Sequence, residues 1–230
     1  MQIKLNSISK HYQEGEQQQT ILDDINVTID EAEIVALIGP SGSGKTTLLN
    51  LISGIDAPDS GEIVMSDKNQ SINISAINEE QQTLFRRHNI GFIFQFFNLI
   101  PTLTVVENIQ FPLELCNRLD NNAAGNITRL LHKLRIEHKQ HQYPENLSGG
   151  EQQRVAIARA IIHQPKILLA DEPTGNLDDE TGRQVMDLLL ELAREYQVTM
   201  LIVTHSQEIA KRTDRILSLK NGHLSVMGRN

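Results

Sequence analysis

The segment Gly39-Pro-Ser-Gly-Ser-Gly44-Lys45-Thr46 decides how the fold of this chain is interpreted. It follows the apolar run Ile34–Ile38 and precedes a second apolar stretch at residues 47–52. Strand, glycine-rich turn and helix in this order form a phosphate-binding loop, because glycines let backbone N–H groups turn towards a phosphate and the helix N-terminus adds positive potential. We therefore expect Lys45 to contact the β- and γ-phosphates of a nucleotide and Thr46 to ligate Mg²⁺.

Composition narrows the class of protein. The chain has 230 residues, 39% apolar and 22% charged, which suits one well-buried domain. Its net charge is −8 and it has no long run of Lys or Arg, which weighs against nucleic acid as a partner. The single cysteine, Cys116, favours a reducing compartment. Residues 1–6 lack a signal-peptide core, and the apolar residues 90–100 are fewer than the roughly 20 that span a bilayer. These features predict a cytoplasmic chain whose membrane role comes through a partner.

Short apolar runs predict the central sheet. Residues 34–38, 90–94, 167–170 and 200–203 are nearly unbroken apolar stretches, which suit parallel strands covered on both faces. Residues 2–9 and 21–29 alternate partly, as half-buried strands do, and apolar residues recur with helical spacing from 185 to 196. The Asn221-Gly222 pair predicts a type I′ hairpin between residues 216–220 and 223–226. Residues 117–128 are interpreted as a surface loop leading into a helix near residues 127–134.

Two acids follow the third of these runs. Asp171 is placed to hold Mg²⁺, and Glu172 to polarise an attacking water as a general base. An Asp-Glu pair after a strand is also common as a solvated turn or a helix cap. The phosphate-binding loop elsewhere in the chain favours the catalytic interpretation.

A second anion-binding tip is predicted at Leu147-Ser148-Gly149-Gly150-Glu151-Gln152-Gln153-Arg154. Ser148 and Glu151 form an S-x-x-E capping box that starts a helix, and two glycines leave backbone N–H groups uncovered. A merely well-capped helix is the alternative. The segment resembles the signature motif of ATP-binding-cassette (ABC) ATPases, and so does its spacing to Asp171-Glu172. The resemblance covers essentially the whole chain.

The resemblance implies an α/β fold, the P-loop NTPase nucleotide-binding domain with a RecA-like core, an antiparallel β subdomain and a helical subdomain. It implies one domain over residues 1–230, in which 1–95 and 163–230 form the core with its antiparallel portion and 96–162 form the helical subdomain. It also implies that the signature tip binds the γ-phosphate of ATP held by a second copy, so that two chains, expected to be identical, enclose two ATP molecules.

Further roles rest on the same resemblance. Tyr12 resembles the aromatic residue that stacks on adenine, with a surface tyrosine as the alternative. Gln95 resembles the Q-loop glutamine that touches Mg²⁺, Asp178 the D-loop aspartate at the dimer interface, and His205 the switch histidine that contacts the γ-phosphate. Catalysis is thus assigned to Glu172, His205 and Lys45, and Mg²⁺ to Thr46, Gln95 and Asp171. The residues expected to bind ATP are Tyr12, Gly39, Ser41, Gly42, Ser43, Gly44, Lys45, Thr46, Thr47, Gln95, Ser148, Gly149, Gly150, Glu151 and Asp178.

Short strings indicate a branch of the family. Residues 96–104 and 171–178 are similar to those of the lipoprotein-releasing ATPase LolD and the ATPase portion of the MacB efflux pump. This implies a separate MacB- or LolCDE-type membrane partner, docked near residues 95–103 on the inner face of the cell membrane. The candidate docking residues, which could equally be core, are Phe96, Phe97, Leu99, Ile100 and Leu103.

Two other functions are compatible with the same motifs. The similar FtsE branch uses ATP for mechanical signalling without transport. Soluble ABC ATPases that act on DNA usually carry coiled-coil or zinc insertions, which this chain lacks.

The histidines His132, His138 and His141 fit no common metal-ligand spacing. The cluster Arg86-Arg87-His88 is read as a surface or interface feature.

Overall fold

A six-stranded, mostly parallel sheet forms the centre of the computed structural model, which describes residues 1–15 and 17–229. Its order is β10-β9-β3-β8-β7-β6, with only β10 antiparallel to its neighbour. The strands are β3 (Ile34–Ile38), β6 (Ile90–Ile93), β7 (Ile167–Asp171), β8 (Thr199–Val203), β9 (Arg215–Lys220) and β10 (His223–Arg229). The four predicted apolar runs are confirmed as four of its five parallel strands.

Alternate residues of each central strand enter different cores. In β3, Ile34 and Ala36 pack into one apolar cluster, while Val35 and Leu37 pack into the other. The strand is buried on both faces, which explains its unbroken apolar sequence. Turn residues Asn221 and Gly222 have φ angles of 52° and 78°, as a type I′ turn requires, and the predicted hairpin of β9 and β10 is confirmed.

A second, antiparallel sheet covers one face of the first. Its order is β2-β1-β4-β5. The strands are β1 (Gln2–Glu14), β2 (Gln17–Ile29), β4 (Ser60–Ser66) and β5 (Ser71–Asn73). Between the sheets lies α1 (Lys45–Ser53), whose buried leucines and Ile52 belong to the same cluster as residues of β1 and β2. β1 and β2 extend further than the predicted residues 2–9 and 21–29.

Helices cover the other face. They are α3 (Val105–Leu115), α4 (Ala123–Lys133), α5 (Gly149–Ile161), α6 (Asp179–Glu195) and α7 (Gln207–Ala210). The helix α2 (Glu79–Asn89) instead buries Phe85 in the cluster that also contains residues of α1, β1 and β2. Short 3-10 helices lie at Glu137–Lys139 and Pro144–Asn146. α3, α4 and α5 all fall between β6 and β7, where the helical insertion is expected. Within the described residues, no helix has the length and apolarity needed to cross a membrane.

The predicted loop at residues 117–128 is wrong in its second half. α4 begins at Ala123, because Oδ1 of Asp120 accepts hydrogen bonds from the backbone N–H groups of Asn122 and Ala123, at 2.9 and 3.0 Å. Ala123 and Ile127 are buried on the apolar face of this helix. The Asn-rich composition concealed the start of an amphipathic helix, next to which the Asp120 carboxylate accepts hydrogen bonds from backbone N–H groups.

Candidate nucleotide site

The phosphate-binding loop joins the carboxyl end of β3 to α1. Gly42 and Gly44 have φ angles of 74° and 96°, in the left-handed region that favours glycine. A Cβ atom at Gly44 would also lie 2.8 Å from Cγ2 of Ile21, so the loop packs closely on β2. Nζ of Lys45 donates to the carbonyl oxygens of Gly39 and Pro40, at 3.0 and 2.9 Å. The ammonium group is therefore held against the phosphate-binding loop by two of its carbonyl groups.

The carboxylate of Asp171 meets the start of α1. Oγ1 of Thr46 donates a hydrogen bond to Oδ2 of Asp171 at 2.8 Å, although 125 residues separate them. Burial raises the pKa of Asp171, with the nearby Glu172 adding to the effect and the Thr46 hydrogen bond opposing it. A hydroxyl and a carboxylate placed together beside a phosphate-binding loop are a suitable oxygen donor set for Mg²⁺. These two residues fit the predicted metal site.

Glu172 and His205 form the second polar pair. Glu172 has a φ angle of 45°, and its backbone N–H donates to the carbonyl of Val203 at 3.1 Å. This turn carries the carboxylate away from Asp171 and towards β8, where Oε1 lies 2.6 Å from Nε2 of His205. A carboxylate oriented by an imidazole can polarise a water molecule as a general base.

Gln95 lies in the turn after β6, one residue beyond the strand predicted at residues 90–94. Its backbone carbonyl accepts a hydrogen bond from Nδ2 of Asn176 at 2.8 Å. A Cβ atom at Gly175 would lie 3.1 Å from Nε2 of Gln95, and the N–H of Gly175 donates to the carbonyl of Glu172 at 3.0 Å. The Gln95 amide therefore reaches the turn that carries Glu172.

Tyr12 lies on β1, next to the start of α1. Its hydroxyl donates to Oδ2 of Asp56 at 2.9 Å and also interacts with Thr47. Burial and the Asp56 carboxylate raise the pKa of Tyr12. Nζ of Lys10 lies 5.3 Å from the ring centre, within the range of a cation–π contact. Tyr12 is 43% exposed, so part of its side chain is accessible to a ligand.

The predicted capping box at the start of α5 is present. The backbone N–H of Ser148 donates to Oε2 of Glu151 at 2.8 Å, and the N–H of Glu151 donates back to Oγ of Ser148 at 3.3 Å. The tip is less bare than the sequence predicts, because Gly150 is buried and a Cβ atom there would lie 2.5 Å from Cγ2 of Thr181. Gly150 thus allows close packing of α5 on α6, where Asp178 caps the helix by accepting from the Thr181 N–H at 2.9 Å.

Sequence reasoning missed four residues that support this site. Lys10 and Asp56 hold each other at 2.8 Å and position Tyr12, Asn176 holds the Gln95 turn, and Thr181 packs on Gly150. None belongs to a motif that sequence alone would single out, apart from Asn176, which lies within residues 171–178, one of the segments that indicate the branch of the family.

The site combines a phosphate-binding loop, two acids at the end of a parallel strand, and a histidine paired with one of them. This combination defines a P-loop nucleoside triphosphatase. Within that class, the chain belongs to the ABC transporter family, whose model matches residues 22–175. It is an ATPase of the ABC type. An uncharacterized ABC transporter ATP-binding protein of Mycobacterium tuberculosis is 47% identical to it over 96% of this chain and 88% of that protein. The lipoprotein-releasing system ATP-binding protein LolD of Legionella pneumophila (strain Lens) is 43% identical over 94% of this chain and 93% of that protein.

Solved structures agree with this membership. The dimeric, post-hydrolysis state of the ATP-binding cassette MJ0796 bound to ADP and Pi has a TM-score of 0.87 and is 39% identical over 99% of this chain and 97% of that chain. A second dimeric structure of MJ0796 has a TM-score of 0.86. The expected fold, an ABC nucleotide-binding domain, is confirmed.

Proposed function

We propose that two copies of this chain enclose two ATP molecules and, by hydrolysing them, drive a conformational change in a separate membrane protein of MacB or LolCDE type. The pairs Thr46–Asp171 and Glu172–His205, both beside the phosphate-binding loop, carry the proposal. The similarity to the MJ0796 dimer supports pairing of copies, and the similarity to LolD supports the branch. The expected place of action is the inner face of the cell membrane.

Each polar group has a distinct task in this proposal. Lys45 and the loop N–H groups bind the β- and γ-phosphates, while Thr46, Asp171 and Gln95 would hold Mg²⁺, which would neutralise phosphate charge. Glu172 accepts a proton from the attacking water, and His205 orients Glu172 and the γ-phosphate. Tyr12 stacks on the adenine ring. The tip formed by Ser148, Gly149, Gly150 and Glu151, with Asp178 nearby, meets the nucleotide of the second copy.

A groove between α2, β6 and α3 is the proposed docking site for the membrane partner. Its volume is about 450 Å³. The apolar residues that line it include Phe92, Phe94, Ile100, Phe111 and Leu115. Of the five docking residues expected from sequence, only Ile100 lines this docking groove, while Leu99 packs on the core and Phe96 is 71% exposed outside it.

Charge at the docking groove indicates what kind of helix would bind. Arg86, Arg87 and Arg159 line it, and no Asp or Glu is among the described lining residues. His163 adds no charge at neutral pH, because burial lowers its pKa to about 4. An amphipathic cytoplasmic helix with apolar anchors and a carboxylate would complement this surface.

The catalytic half of the proposal is tested with Glu172→Gln. The variant should bind ATP, fail to turn it over, and form a dimer when ATP and Mg²⁺ are added, as measured by light scattering. The matched control is Glu172→Gln combined with Lys45→Ala, which should remain monomeric because its phosphate-binding loop lacks the ammonium group. If the variant stays monomeric at saturating ATP and the wild type does not hydrolyse ATP, the proposal is contradicted.

The docking half is tested with a matched pair of exposed leucines. Leu115 lines the docking groove, whereas Leu119, which is similarly exposed, does not. Leu115→Glu should abolish recovery of an integral membrane protein from detergent-solubilised membranes, and Leu119→Glu should leave it unchanged. Equal recovery by both variants would exclude the groove as the docking surface.

A further inference from the structure

The two carboxylate oxygens of Glu151 have different partners. Oε2 accepts hydrogen bonds from the backbone N–H and the hydroxyl of Ser148, at 2.8 and 2.9 Å, and so closes the capping box. Oε1 lies 3.3 Å from Nζ of Lys139. Both side chains are mostly buried, at 22% exposure for Lys139 and 21% for Glu151, so solvent screens the pair less than a surface ion pair.

Glu151 creates an electrostatic difficulty for the function proposed above. A helix N-terminus attracts a phosphate with an effective charge of about +0.5. Glu151 lies three residues after Ser148, the N-cap of α5, and its full negative charge more than cancels that attraction. Although burial opposes ionisation, the hydrogen bonds from Ser148 and Lys139 lower the pKa of Glu151, so it is charged at neutral pH. Lys139 supplies the compensating charge.

Backbone contacts hold Lys139 in place. It ends the 3-10 helix Glu137–Lys139, which follows the fully buried Ile136. The residues after it are tied to the first turn of α3, since Val105 and Val106 donate their N–H groups to the carbonyls of Gln142 and Gln140, at 2.9 and 3.0 Å. α3 also carries Phe111 of the docking groove. The lysine therefore stands where the helix that lines the groove meets the signature tip.

We propose that Lys139 is a positioning residue for the ATP of the second copy. It holds Glu151 in the capping box and offsets its charge, so that the start of α5 can accept the γ-phosphate presented by that copy. The inference rests on the dimer of the proposed function and adds a residue outside every motif identified in the sequence.

The test measures the ATP concentration that gives half-maximal dimer in the Glu172→Gln background. Lys139→Met should raise this concentration about tenfold, and Lys139→Arg should keep it within about threefold of the parent, because arginine retains the charge. Nucleotide affinity of the monomer should not change, since Lys139 lies away from the chain's own phosphate-binding loop. Circular dichroism and thermal melting check that each variant is folded.

Glu151→Gln supplies the decisive control. With a neutral amide at position 151 there is no charge to offset. Adding Lys139→Met to Glu151→Gln should therefore raise the ATP concentration for half-maximal dimer by less than about threefold. A defect of Lys139→Met that persists at full size beside Glu151→Gln overturns the inference, and so does a parent-like Lys139→Met. Absence of any ATP-driven dimer in the parent would contradict the proposed function itself, whereas a dimer indifferent to Lys139 contradicts only this inference.

Discussion

Nε2 of His205 lies 2.6 Å from Oε1 of Glu172, although the two residues follow different strands. The register of β7 on β8 explains the contact, because Asp171 pairs with Val203 and both residues of interest come shortly after that pair. The carboxyl ends of parallel neighbours meet at one edge of the sheet. The core of the domain therefore fixes the backbone positions from which the two side chains meet.

His205→Ala should remove the group that orients Glu172. We expect the turnover number to fall by roughly 10²-fold or more, since general-base catalysis depends on this geometry, while ATP affinity stays nearly constant. Phosphate release and nucleotide titration measure the two effects. His223→Ala is the matched control, because His223 is an exposed histidine paired only loosely, at 3.9 Å, with Asp23. Equal activity of the two variants would show that His205 has no catalytic task.

Asp171→Asn should separate stability from metal binding. Burial raises the pKa of Asp171 above its ordinary 3.8, so its ionisation costs the fold stability as the pH rises through that range. The neutral amide avoids this cost and can still accept from Thr46, so the melting temperature at pH 7 should not fall.

The Mg²⁺ response of the same variant should differ from that of the wild type. Mg²⁺ and ATP at about 100 times Kd should stabilise the wild type by about 2.7 kcal/mol, or roughly 5–10 °C in Tm for a chain of this size. Asp171→Asn should lose the Mg²⁺-dependent part of that shift, and the surface control Asp187→Asn should keep it. An unchanged Mg²⁺ response in Asp171→Asn would contradict the assignment of this carboxylate.

Gly150→Ala should strain the contact between α5 and α6. The added methyl group would lie 2.5 Å from Cγ2 of Thr181, and overpacking of this kind costs about 1–3 kcal/mol. Thr181→Ser deletes the opposing methyl group, so the double variant should recover most of the loss in thermal unfolding. Gly125→Ala is the control, because Gly125 in α4 meets no atom within 4 Å and alanine there should stabilise the helix. Failure of Thr181→Ser to rescue would place the strain elsewhere.

Gly222→Ala tests the hairpin of β9 and β10. Its φ angle of 78° disfavours any side chain, so the free energy of unfolding should fall by about 1 kcal/mol. The carbonyl of Gly222 also accepts from the Asp23 N–H at 2.9 Å, so distortion of the turn would reach β2. Gly228→Ala, at an open position with φ outside the left-handed region, should change stability by less than about 0.5 kcal/mol. Equal losses would argue against a strained turn.

The sequence predicts four strands of the central sheet, β3, β6, β7 and β8, because each is covered on both faces and forms a short apolar run. The fifth parallel strand, β9, has the mixed sequence Arg215–Lys220 and is predicted only through its hairpin with β10. The same rule places the motifs, since residues that follow such strands meet at one edge, as Glu172 and His205 do. The start of α4 is not predicted because Asp120, which accepts a hydrogen bond from the N–H group of Ala123, lies in an Asn-rich segment that is typical of loops.

Contacts between distant segments lay beyond sequence reasoning. The docking groove takes Arg86 from α2, Phe92 from β6 and Phe111 from α3, and no local pattern joins these residues. Lys139 and Glu151 are separated by a turn and a 3-10 helix, so their spacing matches no helical or strand period. The sequence predicts an open helix start at Gly150, because it does not reveal that Thr181 lies against this glycine.

The three guanidinium groups of the docking groove stand on a chain whose net charge is −8. Two such copies repel each other at long range, while the groove attracts an acidic helix, and dissolved ions screen both effects over about 8 Å at physiological ionic strength. Added salt should therefore favour dimerisation of this chain and lower the affinity of the docking groove for the membrane partner. The complete assembly is expected to form best at an intermediate ionic strength, where neither contact is weakened to the point of loss.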